Sequence, residues 1–253
     1  MLTAADTAYA IALIRAREAD RPESERLFED PYAQGFADGG EHAREGTERL
    51  LALPFFSEGI RLRTRGIDDV VRDALTHGAR QLVLMGAGFD ARALRLPEVA
   101  DHQVQAFEVD FPAQLDTKRG LLASRGVAIP GYVHYVPCDF ASEFEARLLP
   151  DLVARGFEQS ARTMFVCEGV LPYLDQAAID RTLRFMASIS APGSRLIFDF
   201  SDYAYGQDWG SKTVRRAGFA SFHEVPLDEV WRRHWPGEPA VNASIIKLGI
   251  AST

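Results

Sequence analysis

The chain has 253 residues, of which 47% are hydrophobic and 25% are charged, a composition typical of a globular protein. This length is enough for one large α/β domain and does not by itself require two. The formal net charge of −8 argues against non-specific nucleic-acid binding, which needs clustered lysine and arginine side chains.

The N-terminal region, residues 1–78, predicts helices. Apolar residues recur at helical spacing over residues 3–18, and similar patterns follow at 44–53 and from Ser57 to near Gly78. We expect this region to pack on the rest of the chain as a lid that excludes water from the site.

From residue 79 onward, short apolar runs alternate with helical connections. This alternation is typical of an α/β fold with a doubly wound, mostly parallel sheet. The predicted strands are residues 81–85, 104–109, 132–136, 163–167 and 195–198, with 243–250 as a candidate antiparallel edge. We therefore expect residues 79–253 to form a single Rossmann-like core.

A glycine or an acidic residue follows each of four successive predicted strands. These residues are Gly86, Asp110, Asp139 and Glu168. In an open α/β sheet, ligands bind at the carboxyl ends of the strands. A single carboxylate could equally cap the next helix, but three in series beside a Gly-rich turn indicate a ligand site. Glu108 competes with Asp110, because residues two apart share one face of a strand.

The turn at residues 86–91 reads G-x-G-x-x-A, and glycines allow a ligand to approach the backbone closely. Asp110 lies about 20 residues further on, which also fits a dinucleotide fingerprint. Nicotinamide dinucleotides and S-adenosylmethionine both contain adenosine, and an acid at the second strand end can hold either ribose. The turn alone therefore leaves both cofactors open.

Four segments occur in a fixed order along the chain: RTRGID at 63–68, LMGAGFDARALR at 84–95, FEVDFP at 107–112 and FVCEGVLPYL at 165–174. Together they resemble the leucine carboxyl methyltransferase family, which includes bacterial O-methyltransferases of polyketide pathways. Residues 21–31 look like a bacterial branch of that family. The resemblance implies S-adenosylmethionine as the cofactor.

The resemblance also implies roles for individual residues around the adenosine. Gly86, together with Gly88, would contact the cofactor through the Gly-rich turn. Asp110 would hold the ribose hydroxyls. Asp139 would accept from the adenine amine, and Phe140 stands where the family has an aliphatic wall.

At the methionine end, the resemblance places Glu168 near the amino group and Arg63 near the carboxylate, while Arg65 is left open. S-adenosylmethionine carries a sulfonium, an ammonium and a carboxylate, so strand-end acids with one arginine complement its charges. The six histidines and two cysteines show no zinc-type spacing, and no metal is expected.

The acceptor site is less defined. A carboxylate nucleophile is already ionised at neutral pH, whereas a phenol would benefit from a general base. We find no compelling catalytic base. Tyr173 and His223 are the candidates near the acceptor, and residues 201–239 are expected to contribute to its pocket.

No apolar run reaches the roughly 20 residues that a membrane span needs. Residues 1–15 include Asp6 and lack the features of a secretory signal. Cys138 and Cys167 lie in apolar runs, where buried reduced thiols are expected. From these features we expect a cytoplasmic protein that contacts neither nucleic acid nor membrane.

The predicted function is O-methylation of a carboxylate or hydroxyl on a small, polyketide-like molecule. Three alternatives remain open: an NAD(P)-dependent oxidoreductase, a cofactor-binding protein without turnover, and a protein C-terminal carboxyl methyltransferase. The oligomeric state is also open, with a homodimer as one option.

Overall fold

The computed structural model describes residues 4–253, apart from the side chains of Ala4, Ala5 and His42. Thr3, where the first helical pattern begins, lies outside this range. The helices are α1 (Ala4–Ala16), α2 (Ala33–Asp38), α3 (Arg44–Leu51), α4 (Phe56–Thr76), α5 (Arg92–Arg95), α6 (Pro97–Asp101), α7 (Pro112–Ser124), α8 (Glu145–Val153), α9 (Gln176–Ser188), α10 (Asp202–Tyr205), α11 (Trp209–Ala217) and α12 (Leu227–His234). The strands are β1 (Gln81–Met85), β2 (Gln105–Asp110), β3 (Val133–Pro137), β4 (Thr163–Cys167), β5 (Arg195–Ser201), β6 (Ser221–Pro226) and β7 (Ile246–Ser252).

The strands form a single sheet in the order β3-β2-β1-β4-β5-β7-β6. Strands β1 to β5 pair in parallel, while β7 runs antiparallel to both β5 and β6. The strand order reverses between β1 and β4, which opens a crevice outside their carboxyl ends. The prediction of a doubly wound, mostly parallel α/β sheet is confirmed.

One edge of the sheet differs from the prediction. The last strand is antiparallel, but it begins at Ile246 after a 3-10 turn and lies between β5 and β6, inside the sheet. The edge is β6, which the sequence analysis did not identify. Ser221, His223 and Glu224 on this strand are exposed, so β6 has no apolar run that would reveal it.

The central strands are buried along their whole length, as expected for a parallel sheet covered on both faces. Helix α4 packs across β4, β5 and β7, and α1 packs on α2 and α3. The ring of Phe89, in the Gly-rich turn, contacts Tyr9 of α1 and Phe36 of α2 at centroid distances of 4.9 and 5.0 Å. These contacts hold the N-terminal helices against the carboxyl edge of the sheet. No helix within residues 4–253 is long and apolar enough to cross a membrane.

Candidate active site

A cavity of about 380 Å³ lies at the carboxyl ends of β1, β2 and β4, beneath α1. Its walls come from the Gly-rich turn, the end of β2 and the loops after β3 and β4. The predicted site residues that line it are Arg63, Gly86, Gly88, Asp110, Phe140, Glu168 and Tyr173. Residues from distant parts of the chain therefore meet where the strand order reverses.

The structure does not bring Asp139 or His223 into this cavity. The Asp139 side chain is exposed, and its carboxylate accepts a hydrogen bond from the Ala141 amide at 2.9 Å, within its own loop. His223 is exposed on the edge strand β6, far along the sheet from β1. None of residues 201–239 lines the cavity either, so its geometry gives no support to their predicted role in binding the acceptor.

The Gly-rich turn needs glycine at its first position. Gly86 has φ +71°, and a Cβ added there would collide with the Val170 side chain. Gly88 has φ +46°, and its amide donates to Asp110 Oδ2 at 2.6 Å. The turn therefore closes around the Asp110 carboxylate, and its two glycines present backbone without side chains to the cavity.

Asp110 is 8% exposed, and its two oxygens accept from the amides of Gly88 (2.6 Å) and Phe111 (2.7 Å). Burial raises the pKa of Asp110, and these two amides together with the Lys118 ammonium oppose that rise. Glu108, the rival candidate, is fully buried and pairs with Lys118 at 2.6 Å. Asp110 alone of the two faces the cavity.

An apolar wall adjoins Asp110. Phe111 is 48% exposed and lines the cavity, although the sequence analysis did not select it. Phe140 is buried and held by an edge-to-face contact with Phe144 at 5.6 Å between ring centroids. Flat aromatic surfaces of this kind suit a nucleobase, because every base has a π-face that can stack.

Glu168 occupies the opposite end of the cavity and accepts from three arginines. Its Oε1 accepts hydrogen bonds from Arg15 Nη2 (2.9 Å) and Arg63 Nε (3.0 Å), and its Oε2 accepts one from Arg92 Nη1 (2.6 Å). Burial alone would raise the pKa of Glu168, but the guanidiniums of Arg92, Arg15 and Arg63 outweigh it and hold that pKa well below its usual range. Glu168 is therefore an ionised anchor and a poor proton acceptor.

Arg63 is only partly satisfied. Its Nη1 donates to Asp199 Oδ2 at 2.9 Å, and its Nε donates to Glu168. Its Nη2 is buried and has no hydrogen-bond partner among the described residues. Leaving a buried charged donor unpaired costs free energy. Because the Arg63 side chain lines the cavity, an anionic ligand bound there is a candidate partner for this nitrogen.

Three residues of this cluster were not selected from the sequence: Arg15, Arg92 and Asp199. Arg92 is fully buried and also pairs with Asp68 at 2.7 Å. It stood within one of the four ordered segments, and Asp199 follows the fifth predicted strand, so both carried a signal. Arg15 lies in the apolar helical pattern of residues 3–18, and nothing in the sequence around it indicates a ligand site.

Similarity to known proteins agrees with this geometry. Residues 8–187 match the model of a family described as leucine carboxyl methyltransferase. A Frankia alni protein, provisionally named an S-adenosyl-L-methionine-dependent methyltransferase, is 35% identical over 238 residues, covering 90% of this chain and 82% of the relative. A Streptomyces coelicolor protein named in the same way is 36% identical over 248 residues, covering 92% and 78%. The chain belongs to the leucine carboxyl methyltransferase family.

This membership confirms the resemblance that the four ordered segments indicated. A solved structure from Thermobifida fusca, provisionally named a methyltransferase, superposes with a TM-score of 0.60 at 18% identity, covering 96% of this chain and 94% of that one. At that identity the likeness concerns the fold, and it matches the Rossmann-like arrangement described above. Family membership also decides how to interpret the Gly-rich turn: it belongs to a methyltransferase and not to a nicotinamide-dependent oxidoreductase.

Proposed function

We propose that the protein binds S-adenosylmethionine in this cavity and transfers its methyl group to an oxygen of a small, natural-product-like molecule. The observation that carries the proposal is the unpaired Nη2 of Arg63, buried beside Glu168 at one end of a cavity that has Asp110 at the other. The relatives named above are S-adenosylmethionine-dependent by name, which supports the choice of cofactor.

The residues present suit each part of this cofactor. The unpaired N–H of Arg63 matches the methionine carboxylate, and the ionised Glu168 matches the ammonium. Asp110 can accept from ribose hydroxyls, while Phe111 and Phe140 offer apolar surface to the adenine. The bare backbone of the Gly-rich turn allows close approach between these two ends.

When bound, the cofactor supplies an electrophilic methyl group on a sulfonium. The side chains then mainly hold the cofactor in one orientation, and aligning two bound reactants contributes strongly to the rate of a displacement. Helix α1 lines the cavity through Thr7, Ala8 and Ile11, and we propose that it shields the methyl transfer from water. Tyr173, at the rim, donates to Thr7 Oγ1 at 2.7 Å and so joins the loop after β4 to this helix.

The cavity favours an acceptor that arrives already ionised. Among the described residues that line it there is no histidine, cysteine or lysine. The carboxylates that line the cavity already have partners within the protein: Glu168 accepts from three arginines, Asp110 from two backbone amides, and Asp90 pairs with Arg92. None of them is therefore well suited to act as a general base. Because a carboxylate needs no general base at neutral pH, we favour a carboxylate over a hydroxyl as the attacked group.

Calorimetry with S-adenosylmethionine, S-adenosylhomocysteine and NAD, on the wild type and on Asp110→Asn, tests the cofactor. The proposal expects micromolar binding of the first two, loss of that binding in the variant, and no binding of NAD. A mass-spectrometric search for methyl esters over a panel of small carboxylic acids and phenols then tests the transfer. Tight binding without any methylated product would indicate a cofactor-binding protein, and methylation of protein C-termini alone would overturn the small-molecule assignment.

A further inference from the structure

A buried ion pair adjoins the Gly-rich turn that lines the cavity. Lys118 is in the middle of α7 and Glu108 is on β2, and both are fully buried. Lys118 Nζ donates to Glu108 Oε2 at 2.6 Å and also to the backbone carbonyl of Asp90. Burying two charges costs more than packing two apolar side chains of similar size, so stability alone is a weak reason for this pair.

The position of the ammonium suggests what the pair does. Asp90 closes the Gly-rich turn and lines the cavity, and α7 begins at Pro112, just after Asp110. The same turn is held on its other side by the bond from the Gly88 amide to Asp110. Lys118 therefore ties the turn, β2 and α7 together at the place where the turn meets Asp110.

We infer that Lys118 is a positioning residue for the cofactor site: its buried ammonium fixes the Gly-rich turn relative to Asp110. The inference rests on the proposed function for the identity of the ligand. Lys118 does not line the cavity, so it acts through the turn and through Asp110.

Several ionisable groups surround Asp110, and the Lys118 ammonium is one of those that affect its pKa. Glu108 on β2 and Cys138 after β3 interact electrostatically with Asp110, while Asp90 in the turn acts on Glu108 and Asp139 acts on Cys138. The groups that oppose the burial-induced rise in the pKa of Asp110 are the two backbone amides and the Lys118 ammonium. Loss of that ammonium should therefore raise the pKa of Asp110 further and protonate it at a higher pH.

The test uses the full chain with Lys118→Met, and with a double variant that adds Glu108→Met. The single variant leaves a buried carboxylate unpaired, so we expect it to lose stability, whereas the double variant replaces the pair by apolar side chains and should fold. The exposed Lys212 supplies a matched control, Lys212→Met. Calorimetry measures the affinity for S-adenosylmethionine and for 5′-methylthioadenosine, which lacks the methionine carboxylate and ammonium, from pH 5 to pH 8.

We expect the double variant to bind both ligands at least tenfold more weakly at pH 7. The single variant, which keeps the Glu108 carboxylate, should lose binding in acid at a higher pH than the wild type. Equal losses for the two ligands would assign the effect to the adenosine end of the site. A folded double variant with wild-type affinity for both ligands would overturn the inference and leave the proposed function intact. A wild type that does not bind S-adenosylmethionine would overturn both.

Discussion

Arg15 on α1 and Glu168 after β4 are 153 positions apart in the chain, yet Arg15 Nη2 lies 2.9 Å from Glu168 Oε1. Both side chains are buried and both line the cavity. The helix that covers the site is thus bonded to the acid that we assign to the cofactor's amino group. Cover and site are joined by a charged contact, and this contact can be tested.

Replacement of Arg15 by Gln should loosen α1. The change removes a charged, buried hydrogen bond to Glu168, and we expect the free energy of unfolding to fall by about 2 kcal/mol. Hydrogen exchange over residues 8–16 should accelerate, and the affinity for S-adenosylmethionine should weaken. The exposed neighbour Arg17 provides the control: Arg17→Gln should change none of these, and equal effects of the two variants would contradict the assignment.

Glu168 should make the protein acid-sensitive. Its pKa is lower in the folded protein than in the unfolded chain, so its stabilising contribution is fully present above the usual glutamate pKa of about 4.3. The contribution is lost progressively as the pH falls from there through the lower pKa of the folded state. Glu168→Gln should lower stability at pH 7 by about 3–5 kcal/mol, because it breaks a buried ionic cluster. Its unfolding free energy should then depend less on pH over the acid range. Denaturant titrations at several pH values measure both effects, with the exposed Glu143→Gln as the control.

Gly86→Ala should lower the free energy of unfolding and abolish cofactor binding, because the added Cβ collides with the Val170 side chain. Denaturant titration measures the first effect, and calorimetry with S-adenosylmethionine measures the second. Gly126 has nearly the same φ, +70° against +71°, but a Cβ added there meets nothing within 4 Å. Gly126→Ala therefore measures the backbone strain alone, which we expect to cost about 1 kcal/mol. Adding Val170→Ala to Gly86→Ala should recover part of the lost stability, and no recovery would show that the collision is not the cause.

Phe111→Ala should weaken binding of every ligand that contains adenine. Stacking of a base on an aromatic ring contributes about 1–3 kcal/mol, so we expect a loss of affinity of roughly 5- to 150-fold. S-adenosylmethionine, S-adenosylhomocysteine and 5′-methylthioadenosine should be affected alike in calorimetry. Val153 is similarly exposed, 49% against 48%, but lies outside the cavity, and Val153→Ala should change nothing. A loss confined to S-adenosylmethionine would place the adenine elsewhere.

The parallel part of the sheet was predictable because buried strands read as continuous apolar runs, and their carboxyl ends share one edge. Gly86, Asp110 and Glu168 followed from that rule. Asp139 satisfied the same rule, but sequence position does not reveal that its carboxylate turns back to the Ala141 amide. The edge strand β6 had no apolar run to reveal it.

The arginine cluster shows a different limit. Arg15, Arg63 and Arg92 come from α1, α4 and α5, and only the tertiary fold brings them to one carboxylate. A single sequence does not reveal which distant residues pair in the folded protein, so an arginine on an apolar helix is interpreted as a surface charge. The pairing of Lys118 with Glu108 could not be predicted for the same reason.

The most direct test of the account compares Arg63→Gln with Arg65→Gln. Both residues lie on α4, but Arg65 pairs with Asp69 at 2.8 Å and does not line the cavity. Calorimetry should show that Arg63→Gln loses S-adenosylmethionine binding by at least tenfold and keeps 5′-methylthioadenosine binding, because only the former ligand carries a carboxylate for Nη2. Arg65→Gln should bind both ligands as the wild type does. Unchanged binding of S-adenosylmethionine by Arg63→Gln would contradict the central claim that this buried, unpaired nitrogen receives the cofactor.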